Sequence, residues 1–335
     1  QNAGADGYNT AVGFEAGKAI TSGIDNTLIG ALAGDAITSS SQNVALGSSA
    51  LSALTIGTAN VALGYRTLFA SVDGDHNTAV GYKALEDYED GDGNGHNTAI
   101  GSKSQLNATT GEFNTSLGSL SIGAGVTTGD SNTALGYAAG QQLTSASDST
   151  LIGRAAGDAI TTGSKNVAIG SFSLSAEDEH GFNVAVGYAT LNVQNAGANA
   201  YNVAVGYQTG KEVTTGVQNT LIGGQAGDAL TTGFFNTAIG RSALGASTIG
   251  NNNVAIGKDA MKINVASDRN VAVGVEALVS MTSASTVDQY NVAVGFQAGA
   301  AINSGIKNTI IGSNAGNALT TGNNNIIIGI DAAAS

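Results

Sequence analysis

Acid–base chemistry in this 335-residue chain rests on few residues: three histidines, and 25 Asp and Glu against 12 Lys and Arg. His76 and His96 each stand directly before an asparagine, and His180 lies slightly upstream of another. Spaced a repeat or more apart, they predict turn residues and no close cluster. Cysteine is absent, which removes thiolate nucleophiles, thiolate metal sites and disulfides. No GxSxG elbow or P-loop occurs. Asp35, Asp158 and Asp228 recur after Ala-Gly in separate repeats, which reads as a turn preference and not as a paired acid and base. These observations predict a protein that is not an enzyme.

One segment has the donors for a hard cation. Within Glu86 to His96, the residues Asp90, Asp92 and Asn94 alternate and Gly95 follows, as in the opening of an EF-hand loop. Ca²⁺ is therefore the one candidate ion, with no other cofactor expected. The closing glutamate is missing, since its place falls at Gly101, and a solvated acidic turn explains the same residues. Tyr65, Tyr82, Tyr137, Tyr188 and Tyr207, with Phe14 and Phe296, each follow a glycine of the repeat. They could stack on sugars or cover a coil edge. Segments 86–96, 194–201 and 281–290 depart most from the repeat, and loops on a regular scaffold often bind ligands.

All these residues hang on one frame. Nineteen times the chain writes Asn, a β-branched residue, a small or aliphatic residue, an aliphatic residue and Gly, from Asn9–Gly13 to Asn325–Gly329. Only Ser149 breaks the Asn column. Fourteen of eighteen intervals are 17 residues, and the others are 18, 19, 20 and 21. Fixed short periodicity is the mark of a solenoid. The second column is Thr ten times, Val eight times and Ile once, which favours strand over helix. The pattern predicts an all-β parallel solenoid of about 19 coils, with one five-residue strand per coil. A second, weaker strand is expected across segments such as Phe14–Gly17 and Tyr82–Leu85. Residues 1–8 read as a lead-in and 9–335 as one continuous repeat domain.

Alternation along a strand puts Asn, Ala and Gly on one face and the β-branched and aliphatic columns on the other. Volume exchange places the small face inside. Where the third column enlarges to Leu28, Leu151, Leu221 or Ile310, a glycine (Gly34, Gly157, Gly227, Gly316) follows in the same coil. The preceding coil also has a glycine at that slot: Gly17, Gly140, Gly210 or Gly299. Close packing explains such an exchange only if the two columns touch. The Asn column (Asn9, Asn26, Asn43, Asn60, Asn77, Asn166, Asn219, Asn253) should then form a stacked amide ladder. The fourth column (Val12, Ile29, Ile169, Val205, Ile256, Ile311) would point outward as a stripe too apolar to stay wet. A seam shared among copies covers it most simply, so a homotrimer about a common axis is expected, with end-to-end assembly open to it. In the alternative, one chain turns its aliphatics inward and its alanines outward. At about 4.8 Å per coil, nineteen coils would span roughly 90 Å.

Net charge of −13 argues against nucleic acid. No stretch approaches the roughly 20 apolar residues that span a bilayer, so no membrane insertion is expected. A chain starting at Gln1 is processed or a fragment, and export follows if it is processed.

Asn236-Thr237-Ala238-Ile239-Gly240 and Asn202-Val203-Ala204-Val205-Gly206 resemble the Asn-Thr-Ala-hydrophobic-Gly repeats of phage tail fibres and related surface fibres. They are also similar to the head repeats of trimeric autotransporter adhesins. The resemblance covers nearly the whole chain and implies an extracellular fibre on a cell or virion. Its function would be a shaft or head that displays loops or recognises surface glycan. Some such fibres trimerise on a C-terminal chaperone that cuts itself off after a serine, and Ser335 would suit that role. Ice binding through the Thr column is a lesser alternative.

Overall fold

The computed structural model describes residues 7–89, 94–282 and 288–334. Nineteen three-residue strands follow the repeat, from Thr10–Val12 to Ile326–Ile328. The fold is all-β, a parallel solenoid with a period near 17 residues. Two compact units, 1–166 and 167–335, hold the first nine strands and the last ten. In the first, Thr10 pairs with Thr27 and Val61 with Thr78. In the second, Val203 pairs with Thr220 and Val254 with Val271. Within each unit the strand columns thus meet themselves one coil away.

Burial settles which face is inside. Ala45, Ala62, Ala185 and Ala238 are fully buried, whereas Val12 is 58%, Leu46 49% and Ile311 40% exposed. The alternative with aliphatics inward and alanines outward is overturned: the space beneath a strand takes a methyl group, or a larger aliphatic such as Leu151 only where glycines face it. The exchange of volumes is direct. A Cβ placed on Gly140 or Gly157 would sit 2.8 Å from a methyl of Leu151. Beneath the larger coils a second aliphatic completes the core, in a column that includes Ile37, Leu54, Ile160, Val213 and Leu230, all fully buried.

The expected second strand does not form. Phe14–Gly17 and Tyr82–Leu85 are turns. Their alternate residues hold positive φ: Glu15 at 55°, Gly17 at 59°, Lys83 at 57° and Leu85 at 50°. Such values are costly for bulky side chains and persist only where surroundings over-determine them. Here the surroundings are the adjacent coils. Leu32 N–H donates back to Phe14 O at 2.8 Å, and Gly34 N–H donates forward to Ala50 O at 2.9 Å. The five-residue strand shortens to three because its closing glycine leaves the extended region. Gly13 has φ 137°, and a Cβ there would lie 2.5 Å from Gly30 O. That collision explains why the Gly column has no exception.

The asparagines do form the ladder. Asn26 Oδ1 accepts the Asn43 N–H at 3.0 Å, while Asn26 Nδ2 donates to Ser40 O at 2.9 Å. In the second unit, Asn219 Oδ1 accepts Asn236 N–H at 3.0 Å. Each side chain therefore ties a strand start to the closing turn of its neighbour. At Ser149 the hydroxyl still accepts Asn166 N–H, at 3.3 Å.

Candidate functional site

The residue before each ladder asparagine also holds positive φ, including His76 and His96 at 57° and 55°. This geometry turns their side chains outward and repeats them coil upon coil. The histidines are accordingly not isolated. His76 and His96 stack at 4.8 Å with planes 3° apart, and Phe113 continues the stack 5.3 Å beyond. The expectation of no close cluster fails for this pair because one coil separates them in sequence but only one strand spacing in space.

Tyr65 and Tyr82 stack at 5.7 Å, and Tyr188 and Tyr207 at 5.6 Å. Each ring spends one face on its partner. Only outer faces and edges are left for a sugar, so these tyrosines cover the coil more than they offer a platform.

The candidate Ca²⁺ loop falls only partly within the described residues. Asp90 and Asp92 lie outside the described residues, and Asn94 is exposed. Nearby acids are already engaged. Glu86 meets Arg66 at 2.5 Å and Lys83 at 3.0 Å, and Glu89 accepts the Val72 N–H at 2.9 Å. Burial pushes the Asp87 carboxyl up from its usual range. Of the three Ala-Gly aspartates, Asp35 accepts the Ser52 hydroxyl at 2.6 Å and meets Lys18 at 3.4 Å. Asp158 and Asp228 are pushed up by burial. No pair of them shares a site. Ser335 lies outside the described residues.

Two arrangements were missed by sequence reasoning. A depression of about 370 Å³ is lined by Gln225, Asp228, Arg241, Ser242, Lys262 and Ile263. Gly224, where an added Cβ would meet nothing within 4 Å, directly precedes Gln225 of this lining. The lining's mixture of amide, carboxylate, guanidinium, hydroxyl and one aliphatic wall suits a small polyhydroxylated ligand.

The second arrangement sits in the coil whose closing turn reads Ala176-Glu177-Asp178-Glu179-His180-Gly181. Glu177 stands three residues after buried Leu174, as Leu54 stands after Leu51. A fully buried carboxylate thus fills a slot that Ile and Leu take in other coils. Gln194 occupies the same slot one coil on and donates to Glu177 Oε2 at 3.0 Å. Asn202 in turn donates to Gln194 Oε1 at 2.9 Å. The His180 main-chain N–H donates to Glu177 Oε1 at 3.2 Å, and His180 Nδ1 lies 3.6 Å from the same oxygen. Burial pushes the Glu177 carboxyl up, and the donors from Gln194, His180 and Ala196 only partly offset it. One nitrogen or oxygen from each of Glu177, Asp178 and His180 falls within 4.8 Å of the others. The legible signal was Glu177 itself, a charge in a column otherwise made of aliphatic and neutral residues.

No protein-family model and no curated protein was found to match the chain. Function therefore rests on the geometry alone. No helix among the described residues is long and apolar enough to cross a membrane.

Proposed function

We propose that the chain is a structural segment of an extracellular fibre, in which three copies pack their fourth columns together about a common axis. The outward aliphatic column carries this reading. Val12, Ile29, Leu46, Ile100 and Leu117 in the first unit are exposed, as are Ile222, Val294 and Ile311 in the second. Ile169, Val205 and Ile256 are half-buried. In-register pairing sets members of the column one strand spacing apart, so each unit presents a continuous apolar stripe. Strands apolar on both faces are covered on both faces, and exposed stripes of this extent mark interaction surfaces. Identical stripes match one another in length and spacing. The role is mechanical: the Asn ladder and glycine-tight stacking stiffen each unit, and the turns present whatever loops they carry.

Sedimentation equilibrium on the whole chain tests this. Three times the chain mass is expected, and Val205→Glu with Ile256→Glu should release folded single chains. A wild-type chain that sediments as a monomer overturns the proposal.

Glycan recognition is the second reading, favoured by the depression around Asp228 and Arg241. A glycan array probed with wild type and Arg241→Ala decides it. A blank array, or binding indifferent to the substitution, removes it.

A further inference from the structure

Glu177, Asp178 and His180 bring together two carboxylates and an imidazole, a donor set that suits first-row transition ions better than Ca²⁺ or Mg²⁺ because of the imidazole. A tetrahedral ion with bonds near 2.1 Å holds its ligand atoms about 3.4 Å apart. His180 Nδ1 and Glu177 Oε1 already lie at 3.6 Å. An oxygen of Asp178 lies within 4.8 Å of ligand atoms of both.

A second, independent observation is the place of Glu177 in the fold. The slot three residues into the inner turn holds Ile37, Leu54, Ile160, Val213 and Leu230 elsewhere, each fully buried. In other coils the same slot holds a neutral polar residue, Ser71, Gln194, Ser247 or Asn264, also buried, so a charge and not polarity sets Glu177 apart. An uncompensated buried carboxylate costs several kcal/mol, so such groups pair with cations, bind metals or take up a proton. No lysine or arginine forms an ion pair with Glu177 among the described residues; its recorded charge partner is His180. Gln194 holds the opposite carboxylate oxygen and fixes the direction in which Oε1 faces. This is the outer-shell hydrogen bond that metal-ligating carboxylates ordinarily have. Asp178 and His180 are only half-buried, which leaves a path from solvent and open positions for water.

We propose that Glu177, Asp178 and His180 form a binding site for one divalent transition ion, with Zn²⁺ as its natural probe. Gln194 is a positioning residue for it. The ion clips a closing turn that lacks the usual Thr-Thr-Gly to the core of its coil, and it neutralises the buried carboxylate. This site is independent of the fibre reading and of the acidic segment at 86–96.

Calorimetric titration of the untagged whole chain with Zn²⁺ at neutral pH is the test, with Co²⁺ absorption as a second readout of imidazole ligation. One equivalent per chain is expected, with a rise in melting temperature. His180→Ala should weaken binding at least tenfold. Glu177→Leu should abolish it while leaving the circular dichroism spectrum unchanged, since other coils bury leucine at that slot, as at Leu54 and Leu230. The double variant His76→Ala, His96→Ala should bind as wild type does. No Zn²⁺ binding by wild type overturns the proposal, as does binding that survives Glu177→Leu with His180→Ala or is lost with His76 and His96.

Discussion

Asn236→Ala tests the ladder most sharply. The side chain is 1% exposed. Its Oδ1 accepts the main-chain N–H of Asn253 at 3.1 Å, and its Nδ2 donates to Gly250 O at 2.7 Å. Truncation removes both partners at once. Leaving a buried donor or acceptor unsatisfied costs about 1–3 kcal/mol each, so the expected loss is about 2–6 kcal/mol. Asn236→Ser should lose roughly half as much. Nature supplies the precedent at Ser149, whose hydroxyl keeps the Asn166 N–H at 3.3 Å. There Asn166 Nδ2 itself covers the Gly163 carbonyl, at 3.2 Å. Urea unfolding followed by far-ultraviolet circular dichroism measures the loss. Solenoids can open locally, so native-state hydrogen exchange at the Asn253 amide should be read alongside it. An alanine variant within about 0.5 kcal/mol of wild type, or a serine variant no better than alanine, would refute the assignment of stability to the amide column.

Gly240→Ala should prevent folding or cost more than about 3 kcal/mol, because φ is 131° and the added Cβ would lie 2.6 Å from the Gly257 main chain; soluble yield and melting temperature check it. Leu151→Ala should cost about 2–5 kcal/mol and Gly157→Ala about 1–3, but the second change should be less harmful in the background of the first. A double-mutant cycle with no coupling between them would contradict the interlocking of these columns. In the metal-free chain, Glu177 binds its proton more tightly when folded than its ordinary value of 4.5 allows. Its contribution to stability is therefore complete below that value and is lost as pH rises through the folded-state value. Glu177→Gln should flatten stability above pH 4.5, removing a slope of at most about 1.4 kcal/mol per pH unit. Thermal melts of both proteins across that range measure it.

The columns of the repeat foretold the inner face, the amide ladder and the touching pair Leu151 and Gly157, because each is a steric or hydrogen-bonding demand that recurs unchanged. The turn after each motif was not legible. Leu85 and Met261 have φ of 50° and 46°, values that local preference argues against. Bonds to adjacent coils decide them, and those bonds are invisible to a single coil read alone. The His76–His96 stack was hidden for the same reason, since sequence distance overstates separation in a solenoid. Glu177 was legible but overlooked, because the uncharged column it interrupts follows the turn and not the strand.

The intervals of 18, 19, 20 and 21 residues all take their extra length in one place, between the inner slot eleven residues after one asparagine and the next asparagine. Tyr88 and Met281 still fill that slot, fully buried, in the two longest coils. Upstream the count holds: Tyr88 and Met281 stand 11 residues after Asn77 and Asn270, as Leu54 stands after Asn43. Chain length is thereby decoupled from register. A foreign peptide spliced into this corner would bulge outward without slipping a single strand, which makes every coil of either unit an addressable position for display.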